Sequence, residues 1–298
     1  MNHPAELTRR SSPQRGRRRA FTALGTDAGF RHVLLGPASV LALAAAAGCA
    51  GDGSSPAAAN ADLEPDQLLA DSLIGTWVEA AGGMEAWHDI ESARYTITTV
   101  WYDSTGEIER MRPRRVEYRK VDGVEQTRIE RPEAEGLYVQ TFTGSDMWAT
   151  LNERLLEPGI RAWDESEYVG RDVVYWFGLP YKLFDPGVNR RAGPREEGGY
   201  EVRVTFGDGV GLQSGDRYFY YFLDDDPYPE QVHYISQGRG EESRARMYWD
   251  GYAEVGNFTY VISRLYRDTE MNPTRELRHD DVELNPVLSD SIFRRPGS

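Results

Sequence analysis

Hydrophobic and polar positions change period several times along these 298 residues, and each change marks an element. Pro65 opens a run in which Leu69, Leu73, Trp77 and Ala80 recur at helical spacing, and Gly82-Gly83 closes it. This predicts a helix followed by a short second turn over 84–87. From Arg94 the period becomes two: Tyr95, Ile97, Thr99 and Trp101 alternate with Thr96, Thr98, Val100 and Tyr102, the mark of a strand. Further strands are expected to about residue 120, then over 124–130, 137–143 and 147–151, with Asp122-Gly123 as a hairpin turn. Asp164 with Glu167 starts a second helix in the manner of a capping box; Val169, Val173, Trp176 and Phe177 form its apolar stripe, and Gly178 and Pro180 end it. After a loop rich in proline and glycine, strands return over 200–206, 216–223, 230–237, 244–249 and 257–266, with a closing strand and turn over 281–293. Consecutive hairpins mean an antiparallel sheet, and the two helices must cover one face of a curved sheet. The expected class is therefore α+β, mainly β.

Ahead of residue 64 the pattern is of another kind. Residues 33–48 carry no charge, and Cys49, the one cysteine of the chain, closes the run. Arg9, Arg10, Arg15, Arg17, Arg18, Arg19 and Arg31 precede it. A basic segment, a short apolar segment and small residues at a cleavage point describe an export signal. The run is short for a membrane span, which needs about 20 apolar residues, and it contains Pro37. Ala46-Ala47-Gly48-Cys49 resembles a bacterial lipobox. That resemblance implies cleavage before Cys49, acylation of its thiol and a membrane tether through acyl groups. Residues 1–48 are thus read as a lipoprotein signal peptide, 49–63 as a flexible tether and 64–298 as one domain. Ala50, where an inner-membrane lipoprotein would carry Asp, implies the outer membrane, facing the periplasm. Arg18-Arg19 also resembles a twin-arginine export motif.

Composition changes the picture in one respect. The formal charge of −14 falls to about −19 when the seven arginines and two acids of the leader are removed. A body so acidic does not attract nucleic acid or anionic headgroups in general, which leaves a bound lipid to be held by its tails. With Cys49 acylated no disulfide is available, although the compartment permits them. Aromatic residues make up 11% of the chain, with 17 tyrosines, ample for a sizeable core.

Three stretches carry a family resemblance. Gly82–Tyr95 looks like the helix-to-first-strand junction of LolA/LolB-like lipoprotein carrier and receptor domains, Tyr175–Gly187 like the exit of their covering helix, and Asp281–Phe293 like their closing strand. The resemblance covers roughly 66–295. It implies a strongly curved antiparallel sheet forming an unclosed half-barrel, covered by helices, around a cavity for acyl chains. No residue of this chain matches the carrier's internal lid-locking arginine or the receptor's protruding apolar loop.

Candidate chemistry is sparse outside the aromatics. His88, His233 and His279 fall on different elements without metal-ligand spacing, Asp224-Asp225-Asp226 precedes a proline-marked hairpin tip, and the glycines at 207–211 lack the lysine of a phosphate loop. No G-x-S-x-G elbow is present. Neither a metal, a cofactor nor catalysis is expected. Trp101, Trp148, Phe219 and Tyr221 on strands, with Val173, Trp176 and Phe177 on the second helix, exceed what a thin sheet buries and are the expected cavity lining. In that reading the second helix is a lid over a hydrophobic ligand, a lipid or the acyl chain of a lipoprotein, held by a monomeric membrane-tethered binder. The alternative is an envelope lipoprotein of structural or interaction type with a filled core; a hydrolase ranks third.

Overall fold

The computed structural model describes residues 64–208, 210–211 and 215–297. The stretches expected as export signal and tether, with Cys49, lie outside the described residues. Among those described, no helix is long and apolar enough to cross a membrane.

Pro65 sits in the first turn of α1 (Pro65–Ala80), and Glu64 with Gln67 closes a reciprocal capping box over its start. Its buried stripe is Ala70, Ile74, Trp77 and Val78, one position beyond the stripe expected from Leu69 and Leu73. Gly82, at φ +114, then turns the chain into α2 (Gly83–His88); a Cβ there would lie 1.8 Å from the Asn257 carbonyl oxygen. Only glycine fits.

Six strands follow: β1 (Ser92–Tyr102), β2 (Ile108–Val121), β3 (Val124–Glu133), β4 (Gly136–Phe142), β5 (Met147–Leu151) and β6 (Arg154–Leu155). Asp122 and Gly123, at φ +50 and +78, make the expected two-residue turn between β2 and β3. The chain then runs through α3 (Arg161–Asp164), α4 (Ser166–Phe177) and a 3-10 turn (Tyr181–Phe184). It resumes as β7 (Val188–Pro194), β8 (Tyr200–Phe206), β9 (Arg217–Phe222), β10 (Pro229–Ile235), β11 (Ala245–Trp249), β12 (Tyr252–Val255), β13 (Phe258–Val261), β14 (Ser263–Arg267) and β15 (Pro273–Leu284).

Thirteen strands form one antiparallel sheet, ordered β6-β5-β4-β3-β2-β1-β15-β14-β11-β10-β9-β8-β7. Its two edges, β6 and β7, are consecutive in sequence. The chain between them, with α3 and α4, therefore spans the opening of a sheet that does not close into a barrel. This is the expected half-barrel covered by helices. The last strand, β15, pairs with the first, β1, from Ala93↔Leu284 to Trp101↔Arg275. Hairpin β12-β13 stands apart from the sheet and packs Phe258 and Tyr260 onto the core.

The elements depart from expectation in four places. Asp164 ends α3 instead of capping the second helix, and α4 starts at Ser166 with no side-chain cap. The stretch 257–266 is two strands broken at Ile262, because β13 leaves the sheet and β14 belongs to it. The closing strand is Pro273–Leu284, and 285–293 is a loop ending in a 3-10 turn. Strand β7 occupies the stretch expected as loop; Arg190 anchors it, its Nε donating to Asp71 of α1 at 2.7 Å.

The core is filled by rings. Trp87 stacks between Tyr118 and Tyr181, and Trp77 packs against Tyr220, Phe222 and Trp249. Helix α4 enters this core end-on, all of Val173–Phe177 being buried. Its first half lies against β3, β4 and β5 at a distance set by Gly170, where a Cβ would meet Thr127 Oγ1 at 2.5 Å and the Phe142 Cβ at 2.9 Å.

Candidate ligand cavity

Alternation on β2 places Val116 and Tyr118 in the core, with Arg114 and Arg112 next in the same inward stripe. Pairing carries the stripe across the sheet: Arg112↔Thr99↔Leu277↔Arg264 in one row, and Trp101↔Arg275↔Tyr266 in the next. Above these rows α4 presents Tyr168, Asp172 and Trp176 on successive turns. Together they bound a cavity of about 390 Å³, with Arg131, Glu133, Tyr218, Tyr234 and Leu277 completing its wall. That volume lies within the range of small-molecule sites.

Its charge is opposite to that of the chain. Five arginines face two carboxylates, Glu133 and Asp172. Three of the five are engaged: Arg112 and Arg131 both reach Glu133 at 3.2 Å, and the Arg275 guanidinium lies 4.0 Å from the centre of the Tyr266 ring. Neither Arg264 nor Arg114 forms an ion pair with a carboxylate among the described residues. Arg264 is 1% exposed, its Nε and Nη2 have no hydrogen-bond partner, and its guanidinium lies 4.5 Å from the Trp176 ring centre. Arg114 is half-buried, and its Nε too is unpartnered. Desolvation holds both below the ordinary arginine range and each repels the other, whereas Asp172 acts in the opposite sense on both. Arginine stays charged even so. Asp172 is itself held by the Trp176 indole, whose Nε1 donates to Oδ1 at 2.9 Å. The acidity of the chain does not extend to this cavity, because inward strand positions that would otherwise be apolar carry arginine.

The structure brings two of the expected lining residues, Trp101 and Trp176, to the cavity. Val173 and Phe177 lie in the core, Phe177 stacked on Tyr95 at 4.3 Å and packed on Phe258 at 5.1 Å. Trp148 belongs to a separate cluster with Ala149, Ala162 and Trp163. Phe219 and Tyr221 point to the other face of β9 beside Ile235, roofed by Arg244 and Arg195. Sequence reasoning missed Arg112, Arg114, Arg264 and Arg275. For Arg112 and Arg114 the available signal was their parity with Val116 and Tyr118 on a strand that the sequence already placed; Arg275 lies on a stretch where no strand was expected.

The histidines stand elsewhere. His88 is exposed on α2, and His233 lies half-buried on β10 against Tyr221, with burial first and nearby arginines second lowering its pKa to about 4. His279 is buried, donates from Nδ1 to the Val261 carbonyl at 2.9 Å, and is lowered by burial to about 3. Among the described residues no group of three or more His, Cys, Asp or Glu side chains is placed to hold a metal ion.

No family model matches the sequence, and neither does any curated protein. Solved structures similar in fold include a DUF1329 family protein from Desulfovibrio piger, 12% identical, covering 76% of this chain and 97% of that one at a TM-score of 0.47. A LolA superfamily protein from Nitrosomonas europaea is 12% identical over 76% of this chain and 97% of its own, with a TM-score of 0.46. A putative outer membrane lipoprotein-sorting protein domain from Vibrio parahaemolyticus is 9% identical over 74% of this chain and 95% of its own, with a TM-score of 0.42. The names of the last two agree with the resemblance expected from the sequence.

Proposed function

We propose that the protein is a ligand-binding lipoprotein of the cell envelope, tethered through acyl groups on Cys49 and holding the apolar part of an amphiphile, a lipid or the acyl chain of a lipoprotein, in its half-barrel. In this reading it binds without catalysis, acts as a monomer on the periplasmic side of the outer membrane, and serves lipid or lipoprotein trafficking. The observation that carries it is the cavity between α4 and the inward face of the sheet, walled by Trp101, Trp176, Tyr218, Tyr234, Tyr266 and Leu277. Rings and a leucine on several sides suit a chain of methylenes, each worth about 0.8 kcal/mol when buried. None of the three histidines of residues 64–298 lines that space, which favours binding over hydrolysis.

A second reading, an interaction lipoprotein with a filled core and no ligand, is favoured by Val173 and Phe177, buried among side chains that leave them no free surface. One measurement separates the two. The chain purified from membranes under mild detergent, extracted with organic solvent, is expected to yield a defined lipid in near-stoichiometric amount. Cys49→Ser is expected to release the protein from the membrane while keeping that lipid. An extract without lipid from native material overturns the first reading in favour of the second.

A further inference from the structure

The buried, unpartnered guanidinium in the cavity calls for an anion. Arginine cannot shed its proton, and a buried charge without a counter-charge is among the costliest arrangements in a protein. Arg264 is 1% exposed, and two of its three nitrogens donate to nothing. The Trp176 ring lies over its guanidinium at 4.5 Å but supplies no oxygen for the N–H groups, which a carboxylate or phosphate would do. Arg114 stands in the same wall with its own Nε unpartnered. Asp172, the carboxylate in the field of both, accepts the Trp176 indole and forms no ion pair with either among the described residues. Five arginines against two carboxylates leave three formal positive charges in excess, inside a chain of formal charge −14. A wall of that composition is no part of a purely apolar sleeve.

We propose that Arg264 and Arg114 are the receptor for a phosphate-type oxyanion at the head of an amphiphile, the aromatic wall taking the chain attached to it. The planar guanidinium fork matches two oxygens of a phosphate at once, and two such forks suit a group bearing more than one negative charge. The proposal rests on the amphiphile reading above and adds the headgroup to it. It also accounts for the position of Trp176: with the guanidinium carbon of Arg264 4.5 Å from its ring centre, the indole holds the cation by a cation–π contact while its Nε1 holds Asp172.

The test uses the full chain and three probes: lysophosphatidate below its micelle concentration, the uncharged monoacylglycerol of the same chain length, and inorganic phosphate. Binding is followed by calorimetry and by the fluorescence of the cavity tryptophans. Lysophosphatidate is expected to bind at least tenfold more tightly than monoacylglycerol, with the advantage shrinking as salt rises. Arg264→Met is expected to remove most of that tenfold while leaving monoacylglycerol affinity within twofold. The same substitution is expected to hold or raise the melting temperature of the ligand-free protein, since it replaces an uncompensated buried charge; an arginine kept for structure would lower it. Arg114→Met, at a half-buried position, gives the same binding test should Arg264→Met fail to fold. Equal affinity for lysophosphatidate and monoacylglycerol, unchanged in both variants, overturns the anion receptor and leaves the amphiphile reading standing. Binding of inorganic phosphate that is lost in Arg264→Met, with neither acylated probe bound, overturns the amphiphile part of the proposal and the function above with it.

Discussion

His279 is a titratable group closed into the core, and it makes the stability of this fold depend on pH in a definite direction. Its ring packs edge-on against Tyr95 and Tyr260, Arg264 and Arg114 add their positive fields, and Nδ1 carries the proton that the Val261 carbonyl accepts. The folded protein therefore keeps it neutral down to a pKa of about 3, against 6.5 for the ordinary group. The unfolded chain takes up a proton as pH falls through 6.5 and the folded one does not, so stability is fully present above 6.5 and is lost below it. From pH 6.5 to 5.0 the loss is about 2 kcal/mol for this one group at 1.36 kcal/mol per pKa unit. Urea titrations across that window are expected to show it together with a nearly equal loss from His233, whose folded-state pKa of about 4 also lies below the window, so His279→Gln is expected to remove about half of the total slope. The carboxylates held below their ordinary range, such as Glu276, act only at lower pH, so they do not confuse the window. Single residues of this kind are nearly invisible in the sequence. His279 was readable as lacking metal partners, but that its neighbours are rings and arginines depends on β13, β14 and β15 meeting, which no local pattern states.

At the scale of elements, helix α4 divides its surface between two tasks, and its glycine shows how tightly. One stripe, Val169, Gly170, Val173 and Phe177, faces sheet and core; another, Tyr168, Asp172 and Trp176, faces the cavity. Replacing Gly170 by Ala would gain about 1 kcal/mol of helix propensity in an open position. Here the added methyl meets Thr127 and Phe142 below 3 Å, and overpacking of that kind costs about 1–3 kcal/mol. Gly170→Ala is therefore expected to lower stability by about 1 kcal/mol. Gly75→Ala in α1, with nothing within 4 Å, is expected to raise it by about as much, both read from denaturant midpoints at an unchanged slope. The contrast also explains what was readable. Period 3.6 gave away the Val169–Val173–Phe177 stripe because it is apolar, while Tyr168 and Asp172 fall outside any apolar stripe, because a cavity lined with arginine wants polar partners. The same holds for β15, whose inward positions Arg275, Leu277 and His279 are mostly charged or polar, so its true start at Pro273 went unmarked. Strand β7 is the converse: a poor strand sequence that β8 and α1 hold in place by pairing and by the Arg190–Asp71 contact. The half-barrel as a whole was readable because hairpin turns and alternation are local; which face held a polar space was not.

For the whole molecule, the decisive join is between the two ends of the described chain. Strands β1 to β6 and β7 to β14 are two runs of the sheet's strands that meet only through β15. At one end of the seam, beside the Arg94–Glu283 ion pair and the bond from Ser92 Oγ to the Pro286 carbonyl, Asn285 makes the densest set of contacts. Asn285 lies at φ +54 just past β15; its Oδ1 accepts from the backbone N–H of Glu91 at 2.8 Å and of Ser92 at 3.2 Å, and its Nδ2 donates to the Asp89 carbonyl at 2.8 Å. The Asn285 backbone N–H donates in turn to the Ser92 carbonyl at 2.7 Å. One amide thus ties the end of the sheet to the turn that launches its first strand, in a left-handed conformation that asparagine tolerates better than most residues. Asn285→Ala loses three side-chain hydrogen bonds, each worth about 0.5–1.5 kcal/mol net, and keeps the left-handed backbone without the side chain that justified it. The expected cost is about 2–3 kcal/mol, with a cooperative transition preserved, because the β1–β15 ladder itself remains. Asn285→Gly relieves the backbone and is expected to recover part of that loss, which separates the conformational share from the hydrogen bonds. Hydrogen exchange should show the change first in the amides of Glu91 and Ser92, and an Asn285→Ala protein as stable as the parent would mean that the two runs are joined by the ladder alone.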